Sequence, residues 1–142
     1  MSLRLSEALA DEIRRHGEAA YPAECCGALV GRVESQGKEV VRLAPAVNRR
    51  TDDPHRYLIA PDDLRRLEAD VRAARLDIVG YYHSHPDRPA APSAFDADHA
   101  WPWYSYVIVR IVAGRGADMA SWVLAADRPE MLPEPLDVFS EV

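Results

Sequence analysis

A mixed α+β architecture (α/β in the broad sense), with a central mixed β-sheet flanked by helices, is predicted for this chain by three observations. Two segments, "LSEALADEIRRHGEAA" and "PDDLRRLEADVRAARL", carry apolar residues at helical spacing. Several short apolar runs, among them "CGALVGRVE", "DIVGYYHSH" and "YSYVIVRIVAG", have the length and residue types of strands. Helices are mixed along the chain with strands and hairpins, the pattern of a sheet covered by helices. At 142 residues, one domain spanning 1–142 can close a single hydrophobic core.

The first helix is expected from Leu5, Leu9 and Ile13, with Ala8 beside them, and is limited by Gly17 and Pro22. "CGALVGRVE" follows as a buried strand, and "SQGK" turns the chain into its hairpin partner "EVVRLAPAVN". "RRTDDPH" is a polar loop carrying Pro54. The second helix opens on Pro61, whose fixed φ suits a first turn, with Asp62 and Asp63 at the positive end of the dipole. Leu64, Leu67, Val71 and Leu76 form its apolar stripe. "DIVGYYHSH" is a strand ending at two histidines; "PDRPAAP" is a loop and "SAFDADHA" a short helix. "YSYVIVRIVAG" and "MASWVLAA" are strands around a turn at Gly114 to Gly116, and "LDVFSEV" is an edge strand.

A net charge of −6 and a pI near 5.3 argue against an electrostatic nucleic-acid surface and against binding to anionic membranes. "MSLRLSEALADEIRRHG" lacks the apolar centre of a signal peptide. No apolar run approaches the roughly 18 to 20 residues that cross a bilayer. Two adjacent cysteines, Cys25 and Cys26, make no disulfide framework, so a reducing cytoplasm is the expected setting.

The chemistry concentrates in "HSHPDRPAAPSAFD". In an extended segment residues i and i+2 share a face, so His83 and His85 project together while Ser84 points away. Neutral imidazoles presented this way can bind one divalent metal, zinc being the common occupant, although two neighbouring histidines are also common as structural or surface residues. A third ligand is needed, and Asp96 is the candidate, because the chain can fold back over the histidines there. Three protein ligands leave a fourth position for water, as in catalytic rather than structural zinc sites. Ser93-x-x-Asp96 is equally a helix N-capping pair. Both readings can hold at once, since a cap would fix the two side chains in place.

His-x-His, seven residues, then Ser-x-x-Asp resembles the signature of the JAMM (MPN+) metallopeptidases. "YPAECCGALVGR" and "VNRRTDDPHRYLIAPDDLRRL" resemble that family's N-terminal and middle blocks, so the resemblance runs from about Ser6 to Ala125. It implies the cytidine-deaminase-like JAB/MPN fold, Zn2+ held by His83, His85 and Asp96, an oxyanion contact from Ser93, and a catalytic glutamate at Glu24. Glu24 precedes a buried strand, so apolar surroundings are expected for it; a solvated loop carboxylate is the alternative. The implied activity is hydrolysis of an amide or isopeptide bond. In the compact prokaryotic members the implied substrate is the C-terminal tail of a ubiquitin-like or sulfur-carrier protein. The alternatives are a non-catalytic MPN-type scaffold and a zinc hydrolase of a small molecule. A deaminase would need Cys-x-x-Cys and His-x-Glu segments, and neither occurs.

Other residues carry weaker expectations. His99 is a surface or packing residue, or else a supporting or replacement ligand. His16 and His55 lie in polar contexts with no chemical role expected. Cys25 and Cys26 are expected to pack as small apolar groups beside the strand. Trp101, Trp103 and Tyr104 are expected in the core or at its rim; if exposed, they form a docking patch.

Overall fold

A computed structural model describes residues 2–49 and 59–141, so the predicted loop around Pro54 and His55 lies outside the described residues. Its elements are β1 (Ser2–Ser6), α1 (Glu7–Ala20), β2 (Cys26–Glu34), β3 (Gly37–Ala46), α2 (Pro61–Ala73) and β4 (Asp77–Pro86). They continue as α3 (Ala94–His99), β5 (Ser105–Val112), β6 (Arg115–Leu124), β7 (Met131–Glu134) and β8 (Leu136–Phe139). The strands form one sheet in the order β7-β6-β5-β4-β2-β3-β1-β8. The sheet is mixed, as predicted. Strand β4 sits in its middle, antiparallel to β2 and parallel to β5.

The N-terminus departs from the predicted helix. Leu5 belongs to β1, where Leu3 and Leu5 alternate into the core and both are fully buried. Period-two spacing at residues 3 and 5 wins over the helical spacing read from residues 5, 9 and 13. Ser6 ends the strand and caps α1, its hydroxyl accepting from the Leu9 N–H at 3.2 Å. The face that α1 buries is Ala10, Ile13 and Gly17, while Ala8 is exposed. Helix α1 lies close on β5: a Cβ on Gly17 would stand 2.6 Å from Ile111 Cδ1. Helix α2 stops at Ala73, short of the predicted Leu76, because Arg75 turns into the left-handed region at φ 60°.

The tail strand is found at the sheet edge as β8, parallel to β1, whereas β7 was not anticipated. Pro133 inside β7 blurs the strand pattern, and the same proline suits an edge.

The main core fills the space under α1, from Leu3 and Leu5 through Leu29 and Val79 to Val107 and Ile111. Tyr82 and Ser84 of β4 face this side. The Tyr82 hydroxyl meets His16 Nδ1 at 2.8 Å, so His16 ties helix to sheet rather than sitting idle in a polar context. Gly27, opposite Tyr82 in the β2–β4 ladder, lets that ring lie flat on the neighbouring strand. Tyr81, His83 and His85 consequently point to the other face, where α2 and α3 cover the sheet only partly.

Candidate metal centre and its surroundings

Strand β4 is hydrogen-bonded on both sides at the histidines. His83 pairs with Cys26 of β2 and Ile108 of β5, and His85 pairs with Arg110. Two neighbouring strands hold this backbone, so the imidazoles leave it in fixed directions. Both are about 1 % exposed, and their Nε2 atoms approach to 3.1 Å. His85 is oriented from behind: its Nδ1 meets the Pro89 carbonyl at 2.9 Å, which places the proton on Nδ1 and turns the Nε2 lone pair inward. The loop supplying that carbonyl is itself tied down. Asp87, at φ 55°, accepts from the Ala113 N–H at 2.7 Å and from the Tyr21 hydroxyl.

Asp96 closes the triangle. Its Oδ1 lies 3.3 Å from His83 Nε2 and its Oδ2 lies 3.2 Å from His85 Nε2. The capping expectation also holds: Ser93 Oγ accepts from the Asp96 N–H at 3.1 Å, and Asp96 Oδ2 accepts from the Ser93 N–H at 2.9 Å. This reciprocal box sets Asp96 at the third position of α3, on the turn that faces the imidazoles. A hydroxyl has one donor and two acceptor lone pairs, so the cap leaves the Ser93 O–H able to donate.

One ligand atom from each of His83, His85 and Asp96 lies within 4.8 Å of the others, the only such group of three or more among the described residues. An ion coordinated tetrahedrally about 2.0–2.1 Å from nitrogen and oxygen donors spaces those donors roughly 3.3 Å apart. The Nε2–Nε2 separation of 3.1 Å matches that figure, and each imidazole has one of the two Asp96 oxygens at 3.2 or 3.3 Å. Two nitrogens and a carboxylate oxygen also suit a borderline divalent metal. The residues therefore fit the ion that the sequence pattern implies.

Burial pushes the His83 pKa down, against the opposing pull of the Asp96 carboxylate. For Asp96 burial works against ionisation, but its polar contacts with His83 and His85 and the Ser93 N–H outweigh it and hold the carboxyl well below the usual range. The neutral imidazole and ionised carboxylate are the forms that bind metal.

Glu24 is 2 % exposed. The bonds Cys25 N–H to Ser84 Oγ (2.8 Å) and Ser84 N–H to Cys25 carbonyl (3.2 Å) carry the β2–β4 ladder past Cys26. That alternation puts Glu24 on the same side of the sheet as His85. Its main-chain carbonyl accepts from Asn48 Nδ2 at 3.0 Å. The expected apolar surroundings are corrected here, because the Arg88 guanidinium donates to Glu24 Oε2. Arg88 was missed in the sequence; a lone arginine inside a proline-rich loop gives no spacing signal. Asn48 stands in the middle block that carried the resemblance.

Both thiols are buried and free. Burial pushes Cys25 up to about 11 and Cys26 up to about 12, so neither supplies a thiolate nucleophile near neutral pH. His99 is exposed, stacks on Phe95 with ring centroids 4.0 Å apart, and bonds the Phe95 carbonyl through Nδ1 at 2.9 Å. It is not in the ligand triangle. Neither Trp101 nor Trp103 is in the core, at 68 % and 48 % exposed; Trp103 packs at the rim against Tyr104 and Lys38.

The family described as prokaryotic homologs of the JAB domain matches residues 6–125 of the chain. The desampylase of Haloferax volcanii is 36 % identical over 96 residues, covering 66 % of this chain and 68 % of that protein. The probable TtuB-protein conjugate cleaving protease of Thermus thermophilus is 32 % identical over 106 residues, covering 75 % and 68 %. A protein from Salinibacter ruber of known solution structure is 40 % identical with a TM-score of 0.76, covering 96 % of this chain and 91 % of its own.

Proposed function

The chain belongs to the family of prokaryotic homologs of the JAB domain and is a JAMM-type hydrolase, and from that premise we propose which bond it cuts and with which residues. The bond is an amide or isopeptide bond at the C-terminal tail of a ubiquitin-like or sulfur-carrier protein. The names of the Haloferax and Thermus relatives support that substrate class. We read residues 1–142 as one such domain working in the cytoplasm; no helix among the described residues is long and apolar enough to cross a membrane.

His83, His85 and Asp96 would hold the metal, which is zinc in this reading. When bound, zinc supplies Lewis-acid chemistry, polarising a carbonyl and lowering the pKa of a water toward about 7. Glu24 accepts the proton of the attacking water and returns one to the departing nitrogen. The C–N bond breaks, the new C–O bond comes from water, and the nitrogen leaves protonated. Arg88 donates to one oxygen of the Glu24 carboxylate and fixes its rotamer. Ser93, held by its cap, donates its hydroxyl hydrogen toward the developing oxyanion.

The observation that carries this reading is the convergence of two buried imidazoles and one carboxylate on a point. It favours an enzyme over a non-catalytic scaffold, which would have no reason to keep three ligands in register. The test is a Gly-Gly-tailed carrier extended by further residues, incubated with and without chelator and read by intact mass. Cleavage is expected, abolished by chelator and restored by zinc. Glu24→Gln is expected to retain metal while losing about 10²- to 10⁴-fold in rate. Full activity in that variant overturns the role of Glu24.

A further inference from the structure

Beside His83 and Asp96 lies a cavity of about 280 Å3. Much of its wall is apolar: Ile59 just before α2, Leu64 in its first turn, Phe95 of α3, Ile108 of β5 and Met131 of β7, with Trp101 at the side. Among the described residues Asp96 is its only lining carboxylate and no lysine or arginine lines it. Trp101 is 68 % exposed, and its backbone is pinned where it is, the N–H donating to the Tyr106 hydroxyl at 2.7 Å. An apolar cavity of about 150 Å3 already holds a benzene ring, so this one has room for a leucine or phenylalanine side chain.

We propose that this cavity is the subsite for the residue on the amine side of the scissile bond, and that it selects a bulky apolar side chain there. The inference rests on the hydrolase reading above. Two metal ligands form part of the wall, so a group seated in the cavity lies next to the bond being cut. The acyl side of a Gly-Gly tail has no side chains and leaves the cavity empty. The nearest side chain to the bond is then that of the departing residue. A lysine joined through its side-chain nitrogen fits less well, because its polar α-substituents would face the apolar side chains of Ile59, Leu64, Phe95 and Met131.

The test uses carrier-tail peptides ending in Gly-Gly-X-amide, with X glycine, alanine, leucine or phenylalanine, and the zinc-loaded chain. Leucine and phenylalanine are expected to exceed glycine in kcat/KM by about 10-fold or more, the discrimination that even one methylene can give. Met131→Trp, on the half-buried edge strand, should narrow the cavity and pull that ratio toward one. Should it not fold, Trp101→Ala at an exposed position is expected to slow the leucine peptide more than the glycine peptide. Chelator-sensitive cleavage at equal rates for glycine and leucine overturns the subsite and leaves the hydrolase reading standing. Faster cleavage of an isopeptide-linked lysine than of the leucine peptide also overturns it. If no peptide is cut the hydrolase reading fails, and binding decides the subsite. Leucinamide and glycinamide are then titrated against tryptophan fluorescence; tighter binding of leucinamide supports the subsite, and equal binding overturns it.

Discussion

Gly27→Ala is the sharpest test of how the fold aims the metal ligands. A Cβ at residue 27 would fall inside the van der Waals envelope of the Tyr82 ring, touching Cε1, Cζ and the hydroxyl. Tyr82 is fully buried on β4, and its hydroxyl is committed to His16 at 2.8 Å. The ring therefore moves only by straining the core and breaking that bond. Overpacking a closed core costs about 1–3 kcal/mol. Losing a buried hydrogen bond adds about 1 kcal/mol. A destabilisation of about 2–4 kcal/mol follows, which in a chain of this size lowers Tm by roughly 6–12 °C. Tyr82 precedes His83, so the displacement also tilts the first ligand, and metal retained after dialysis should fall. Thermal unfolding by circular dichroism measures the first effect and elemental analysis the second. Gly27→Ala combined with Tyr82→Leu should be less damaging than the sum of the singles by about 1 kcal/mol, because the clash is shared. A Tm within a degree of the parent, or strict additivity in the double variant, would refute the reasoning.

Ser84→Ala removes the acceptor that the buried Cys25 N–H uses at 2.8 Å and should cost about 1–3 kcal/mol in denaturant unfolding. Ser93→Ala should lose about 1 kcal/mol of cap and at least 10²-fold in kcat, with metal still bound at one equivalent. His16, whose pKa burial lowers from 6.5, binds protons more readily unfolded than folded. Its contribution is thus whole above about pH 6.5 and declines as pH falls below it; in His16→Gln, which keeps a hydrogen-bonding group, that part of the stability–pH slope should flatten. Asp96→Asn should lower metal retention at least tenfold in equilibrium dialysis, since the remaining amide oxygen is a poor ligand.

The site was more legible than parts of the frame around it. Residues 83, 85, 93 and 96 lie within one short stretch, where strand alternation and helix capping are local rules, and the structure brings all four together. Strands with long apolar runs, such as "CGALVGRVE" and "DIVGYYHSH", were legible for the same reason. What escaped depends on partners far along the chain. Strand β1 exists because Leu3 and Leu5 pack under α1 while their backbone pairs with β3 and β8, more than thirty and more than a hundred residues away. The Arg88–Glu24 pair joins residues 64 apart, and nothing local to either announces the other. Trp101 did not follow the expected core or rim packing, because hydrophobicity alone places aromatics inside, whereas here it stands in the bent connection between α3 and β5.

Asp96 serves two masters: the same carboxylate oxygen stitches the opening turn of a six-residue helix and faces an imidazole. So short a segment has little cohesion of its own, and unravelling it would carry one donor away while the strand keeps the other two. The dwell time of a metal bound there would then be a clock for the opening of that single turn.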